Sequence, residues 1–374
     1  MNAVPQKILV RGVNWLGDAV MTTPALLRLR ENFPEAHITL LTHAKLADLW
    51  QHHPAINDTI SFTTGESVFA TAKKLRAGKY DLALVLPNSP RSALEVFLAD
   101  IPQRIGYARA WRNFFLTQAV ASRPGAVKMH KRSEVEIQQL VSQKPEARSQ
   151  KPEVPKSAHQ IFEYLNLVAA LGAGAEPLAP QLFVTPEEIE AAKKKFGLEN
   201  ITAPIFGLNP GAEYGAAKRW TVEKFIAAAK EIQNRTNCIW ILFGGKTDAA
   251  ITNQIASQLP TSSSKLLNLA GKTNLRELMS LLKLCRVVLT NDTGPMHVAA
   301  ALGTPVVVPF GSTSPELTGP GLPGDVRNHL IKSDAPCSPC FLRECPIDFR
   351  CLNGIGESQV ISAVMKIINP SLVQ

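Results

Sequence analysis

An α/β fold of two doubly wound domains is what this sequence predicts, on three observations. At 374 residues the chain exceeds one typical domain and can bury two cores. Both halves alternate short apolar, strand-like runs with helical stretches, the pattern of a parallel sheet covered by helices. Several of those runs end in loops rich in Gly, Asn, Asp or Lys, at the strand ends where sheets of this kind bind ligands.

The elements follow in order. Lys7 to Arg11 is a β-like run that ends in the loop Gly12-Val13-Asn14-Trp15-Leu16-Gly17-Asp18, and Ala19 to Asn32 has helical spacing with Pro24 inside it. Further strands are expected near His37 to Thr42, Thr59 to Phe62, Tyr80 to Leu86 and Gln103 to Tyr107. Helices are expected near Ala44 to Gln51, Glu66 to Ala77 and Ser89 to Ala99. From Arg123 to Lys156 eight Lys or Arg face four Asp or Glu, and Ser142 to Lys156, rich in Pro, Lys, Glu, Ser and Gln, is expected to be a mobile loop. A helix from about Ser157 to Leu171 leads to the Gly, Ala and Pro-bearing stretch Gly172 to Pro186, the best candidate linker. Beyond it strands are expected at Ile205 to Asn209, Ile239 to Phe243, Leu266 to Leu269, Val287 to Thr290 and Val306 to Phe310. Helical stretches near Thr221 to Asn234, Asp248 to Leu259 and Leu275 to Leu284 separate them. No short-period repeat is visible.

Composition narrows the class of protein. A hydrophobic content of 45% with 19% charge is that of a globular chain. With no long apolar run and no secretory signal, it is expected to be soluble and cytoplasmic. The net charge of +9 favours anionic partners such as phosphorylated sugars, nucleic acid or an acidic membrane face. Zinc-finger, RRM and KH signatures are absent and aromatic content is only 6%, which speaks against nucleic acid.

The plainest candidate site lies between Arg286 and Pro320, centred on Asn291-Asp292-Thr293-Gly294-Pro295-Met296-His297. Gly294 lets the backbone approach a ligand, Pro295 has the φ of a first helical position, and the N–H groups of that helix start would face an anion. Asp292 or Thr293 can equally serve as a plain helix cap. In the loop Asn209-Pro210-Gly211-Ala212, followed by Lys218-Arg219-Trp220, an ammonium and a guanidinium suit a diphosphate or form a solvated pair. Asp18 is either the N-cap of the helix from Ala19 or a carboxylate able to take a proton from a hydroxyl. His297 is placed to meet a phosphate or sugar hydroxyl or to serve structurally, and Asp248 to meet ribose hydroxyls or to cap a helix. Cys337, Cys340, Cys345 and Cys351 are closely spaced thiols, suited to zinc or to simple thiol packing rather than disulfides. Cys238 and Cys285 sit in apolar surroundings as core thiols.

Three blocks in this order, Asn14 to Pro24, Asn209 to Trp220 and Asn291 to His297, together resemble the bacterial lipopolysaccharide heptosyltransferases of glycosyltransferase family 9. The stretch Cys337 to Cys351 resembles the branch of that family that adds the second heptose. The resemblance implies a GT-B architecture of two Rossmann-like domains, residues 1–180 holding the acceptor and residues 181–374 holding ADP-heptose, the last helix packing back on the first domain. It implies an inverting, metal-independent transfer of L-glycero-D-manno-heptose to the first heptose on Kdo-lipid A, with no cofactor required. Asp18 then matches the general base and Lys218 the residue that stabilises the departing diphosphate. Asn209, Gly211, Arg219, Asp248, Asp292, Thr293, Gly294 and His297 fall on the donor side. Asn14, Trp15, Arg104, Arg109 and Lys131 fall on the acceptor side, within a basic set that also includes Arg112, Lys128 and Arg132. A monomer in peripheral contact with the cytoplasmic face of the inner membrane, binding no nucleic acid, is the implied setting. The proline-bearing insertion around Ser142 to Lys156 departs from the family's common pattern. The rivals are another branch of the same family with a different acceptor, and a nucleotide-sugar epimerase of related two-domain fold.

Overall fold

The computed structural model describes residues 4–143, 154–259 and 266–369. The chain divides into two compact units: the described residues of Met1–Ala126 with Ser157–Phe183, and those of Val127–Lys156 with Val184–Gln374. A single boundary after residue 180 therefore does not describe it. The segment expected to close the first domain belongs to the second, because Ile137 packs in the second unit's core and the Arg132 backbone N–H donates to the Cys340 carbonyl at 3.0 Å. Most of the expected mobile loop, residues 144–153, lies outside the described residues.

The first unit holds strands β1 Lys7–Arg11, β2 His37–His43, β3 Asp58–Phe62, β4 Leu82–Val85, β5 Gln103–Tyr107 and β6 Gln118–Val120. The second holds β7 Ile205–Asn209, β8 Ile239–Leu242, β9 Leu266–Asn268, β10 Val287–Thr290, β11 Val306–Phe310 and β12 His329–Lys332. Their orders are β3-β2-β1-β4-β5-β6 and β12-β11-β10-β7-β8-β9, and every neighbouring pair is parallel. Counted from its own first strand, each sheet has the same order. The direction of winding therefore reverses between β1 and β4 in one unit and between β7 and β10 in the other, the switch points at which such sheets bind ligands.

The central strands explain why the sheets form. Ile8, Leu9 and Val10 pair with Leu82, Ala83 and Leu84, all buried, as expected of parallel strands covered on both faces. In the second unit Val287 to Thr290 align with Phe206 to Asn209. The short edge strands β6 and β12 escape a reading of periodicity because their residues are half-buried or exposed and show no alternation.

Three expectations on helices are corrected. The helix expected from Ala19 to Asn32 is two, Leu16–Met21 and Thr23–Asn32, and Pro24 stands in the first turn of the second, where its missing N–H breaks no bond. The stretch from Ala44 to Trp50 is a 3-10 helix. The last helix, Glu357–Ile368, buries Val360, Ala363, Val364 and Ile368 in the second unit's own core rather than on the first domain. No described helix is long and apolar enough to cross a membrane.

Candidate active site

In the second unit, the loops after β7 and β10 meet at the switch point. Asn291 fastens them together: its Oδ1 accepts the Trp220 N–H at 3.0 Å and its Nδ2 donates to the Pro210 carbonyl at 2.7 Å. This brings Lys218 Nζ within 2.7 Å of Asp292 Oδ2, with the lysine also 4.8 Å from the centre of the Tyr214 ring. The Thr313 hydroxyl, from the loop after β11, donates to the same Asp292 oxygen. Lys218 keeps 14% of its side chain exposed and Asp292 only 4%, so the ammonium is the half of the pair that a ligand can reach.

Asp292 is thus held by a lysine and a threonine and is not a helix cap. Thr293 stands at the N-cap of helix Gly294–Ala301 in extended conformation, and its hydroxyl makes no capping bond. Within that first turn Pro295 has no N–H and the Met296 N–H donates to the Thr293 carbonyl at 3.1 Å, so the Gly294 N–H, beside half-buried Thr293, is the group placed to meet an anion. His297 is buried within the same helix.

Other expected donor residues divide by what their atoms already do. Asn209 is buried and its amide donates to Thr290 Oγ1 at 3.0 Å, so it joins β7 to β10 instead of facing a ligand. Asp248 stands at the N-cap of helix Ala249–Gln258 without a side-chain capping bond there; its carboxylate instead accepts the Gly245 N–H at 2.9 Å and lies 3.9 Å from Arg219 Nη2. Gly211 makes that approach feasible, since a Cβ there would fall 2.4 Å from the Asp248 carboxylate. Arg219 also donates to the Ala212 carbonyl at 3.2 Å.

In the first unit, the loop after β1 carries Asn14, Trp15 and Asp18. Asp18 lies in the first turn of helix Leu16–Met21, with Trp15 at its N-cap, so the expected cap role is not the one it plays. Its carboxylate sits half-buried, 3.5 Å from Gln160 Nε2, which also donates to the Tyr164 hydroxyl at 2.9 Å. Burial, and secondarily the charge of Asp18, pushes the Tyr164 phenol well above its ordinary range and keeps it neutral. Gln160 and Tyr164 come from a helix more than a hundred residues away, and no local signal marks them. Asn14 and Trp15 are exposed; Asn14 Oδ1 accepts from Arg11 Nη1 at 3.0 Å and the Trp15 ring lies 5.2 Å from Lys45 Nζ.

The basic acceptor set is less available than expected. Arg104 donates to the carbonyls of Phe115 at 2.8 Å and Ile101 at 2.5 Å and stacks on Phe97, so it braces the fold. Arg112 is fully buried and donates to the Pro87 carbonyl at 2.8 Å; burial lowers it to about 10. Arg109 is exposed, though it donates to Ser122 Oγ at 2.9 Å. Lys131 is exposed and belongs to the second unit.

The cysteine cluster, open to zinc or to thiol packing, is largely buried. Cys337, Cys340 and Cys351 pack in the second unit's core with Trp220, Leu352 and Ile355. Among the described residues no group of three His, Cys, Asp or Glu is arranged to hold a metal ion. Burial raises the Cys337 and Cys340 thiols and pushes Cys351 up to about 12.

Comparison with known proteins was made against this geometry. The family model for glycosyltransferase family 9 (heptosyltransferase) matches residues 68–140 and 143–349. Lipopolysaccharide heptosyltransferase 2 of Salmonella typhimurium is 32% identical over 84% of this chain and 85% of its own length. Lipooligosaccharide heptosyltransferase 2 of Haemophilus influenzae is likewise 32% identical, over 84% and 85%. Among solved structures, the ADP-heptose lps heptosyltransferase II of E. coli superposes with a TM-score of 0.76 at 28% identity, covering 98% of this chain and 100% of that one.

Proposed function

Because the chain belongs to glycosyltransferase family 9, the heptosyltransferases, we propose that it transfers heptose from ADP-heptose to the first heptose of the lipopolysaccharide inner core. The observation that carries the reading is Lys218 held against Asp292 at the second unit's switch point. Glycosyl transfer leaves negative charge on the departing diphosphate. A partly exposed ammonium beside the Gly294 N–H at a helix start stabilises that charge as it develops. Asp292, fixed by Lys218 and Thr313, orients the ammonium.

In this reading Asp18 removes the proton from the attacking acceptor hydroxyl, and Gln160 and neutral Tyr164 keep its carboxylate in place. Attack by an acceptor hydroxyl on the anomeric carbon, with ADP leaving from the opposite face, is a single displacement and inverts the configuration. Lys218 and the Gly294 helix start supply the positive charge that makes a metal dispensable. Thr293, Gly294 and His297 line the donor side with Arg219 and Asp248; Asn14, Trp15, Arg109 and Lys131 line the acceptor side. The enzyme acts as a monomer at the cytoplasmic face of the inner membrane, where its acceptor is anchored.

The test is ADP release from ADP-heptose with either Kdo-lipid A or its mono-heptosylated form as acceptor. Turnover with the mono-heptosylated form alone is expected. Turnover only with the unsubstituted acceptor overturns the choice of acceptor, and ADP-heptose altered without any acceptor overturns the transferase reading.

A further inference from the structure

The cysteine-bearing segment grips the donor loops from two directions. Toward the loop after β11, Ser338 Oγ donates to the Gly311 carbonyl at 2.7 Å, and the N–H groups of Cys340 and Phe341 donate to the Ser312 carbonyl at 3.0 and 2.7 Å. Toward the loop after β7, the Phe341 carbonyl accepts the Tyr214 hydroxyl at 2.7 Å and the Arg343 carbonyl accepts the Ala217 N–H at 2.9 Å. Gly215 is required at this junction: its φ is +153°, and a Cβ there would fall 2.4 Å from the Arg343 carbonyl oxygen. The residues beside Thr313 and Lys218 are thus pinned by one short stretch of chain whose other side is the buried thiol cluster.

What this stretch delivers is a second cation. The Arg343 guanidinium lies 5.2 Å from the centre of the Tyr214 ring, the ring that also has Lys218 Nζ at 4.8 Å. Asp292 neutralises Lys218, whereas among the described residues Arg343 has no carboxylate within ion-pair distance. Arg343 is exposed and anchored only through its backbone and the ring face. Two cations thus share one aromatic ring, and only Lys218 of the two is paired with Asp292. An anion bearing more than one charge completes such a set, and a guanidinium fork matches phosphate oxygens better than a point charge does.

We propose that Arg343 is a further diphosphate-binding residue, held at its station by the Tyr214 ring and by the cysteine-bearing segment. This rests on the reading of the second unit as the ADP-heptose site. It also gives the Cys337–Cys351 stretch a role that needs no metal: a buried, apolar footing for an exposed arginine.

The test measures ADP and adenosine binding by calorimetry for the wild type, Arg343→Ala and Arg343→Lys, with thermal melts of all three. Arg343→Ala is expected to weaken ADP by about tenfold and leave adenosine within about twofold, with Arg343→Lys in between and no change in melting behaviour. If the wild type binds ADP and Arg343→Ala binds it equally well, the inference is wrong and the donor-site reading stands. Equal weakening of ADP and adenosine together with a lowered melting temperature assigns Arg343 to the fold and also overturns it. A wild type that binds no ADP overturns the donor-site reading and this inference together.

Discussion

Each unit sets an ion pair beside its switch point, and the two pairs lie at different depths. Arg11 is the last residue of β1 and reaches Glu95, on the helix Pro90–Leu98 that follows β4, at 2.9 Å; the side chains are 3% and 0% exposed. Around them the Phe62 ring lies 4.5 Å from the guanidinium and Arg91 also bonds Glu95 at 2.9 Å. Lys218 and Asp292 join the corresponding segments of the second unit, but both lie in loops beyond the strand ends. The first pair therefore plugs the end of its sheet, while the second lines the mouth. The same strand order yields a structural brace or a reactive site according to how far past the strand the charged residue falls.

That contrast can be broken by substitution. The largest effect is expected from Glu95→Ala, which strands two arginines, one of them buried: a loss of about 3–5 kcal/mol in urea unfolding of the first unit. A loss below about 1 kcal/mol would show that the plug does not hold the sheet end. Asp18→Ala should lower turnover about 10²-fold or more and leave ADP affinity nearly intact, because base chemistry and donor binding belong to different units. Near-normal turnover would remove Asp18 from the chemistry. Lys218→Ala should weaken ADP binding and turnover by roughly tenfold each, with a smaller change in unfolding than Glu95→Ala produces. If it destabilises the fold as much while ADP binds normally, the mouth pair is a second brace and the contrast fails.

Much of this was legible in sequence because the central strands are buried on both faces and so appear as unbroken apolar runs, as at Leu82–Val85 and Val287–Thr290. The loops bearing Lys218 and Asp292 were legible as well, since a Gly or Pro beside polar residues at a strand end stands out locally. Partners that reach a site through tertiary packing left no such mark. Thr313, Tyr214 and Arg343 come from three loops, and only Gly215, with its left-handed φ, hints that another backbone passes close by. Arg104 shows the reverse failure, because whether a guanidinium faces solvent or a carbonyl such as that of Phe115 depends on a fold that composition does not specify. At Asp18 the misplaced cap had a readable warning: Pro24 marks the start of a new helix, which moves the earlier one toward the N-terminus.

The excursion of residues 127–143 into the second unit has a consequence for how the protein is made. The described chain of the first unit is complete once Phe183 has left the ribosome. The helix Glu134–Ser142, by contrast, is synthesised long before its partners: Arg132 Nη1 donates to the Pro336 carbonyl across 204 residues. At a translation rate of about 5–20 residues per second, Arg132 waits roughly 10 to 40 seconds for Pro336 to be made. Until the second unit's core is made, the nascent chain carries an orphaned amphipathic helix tethered to a finished domain.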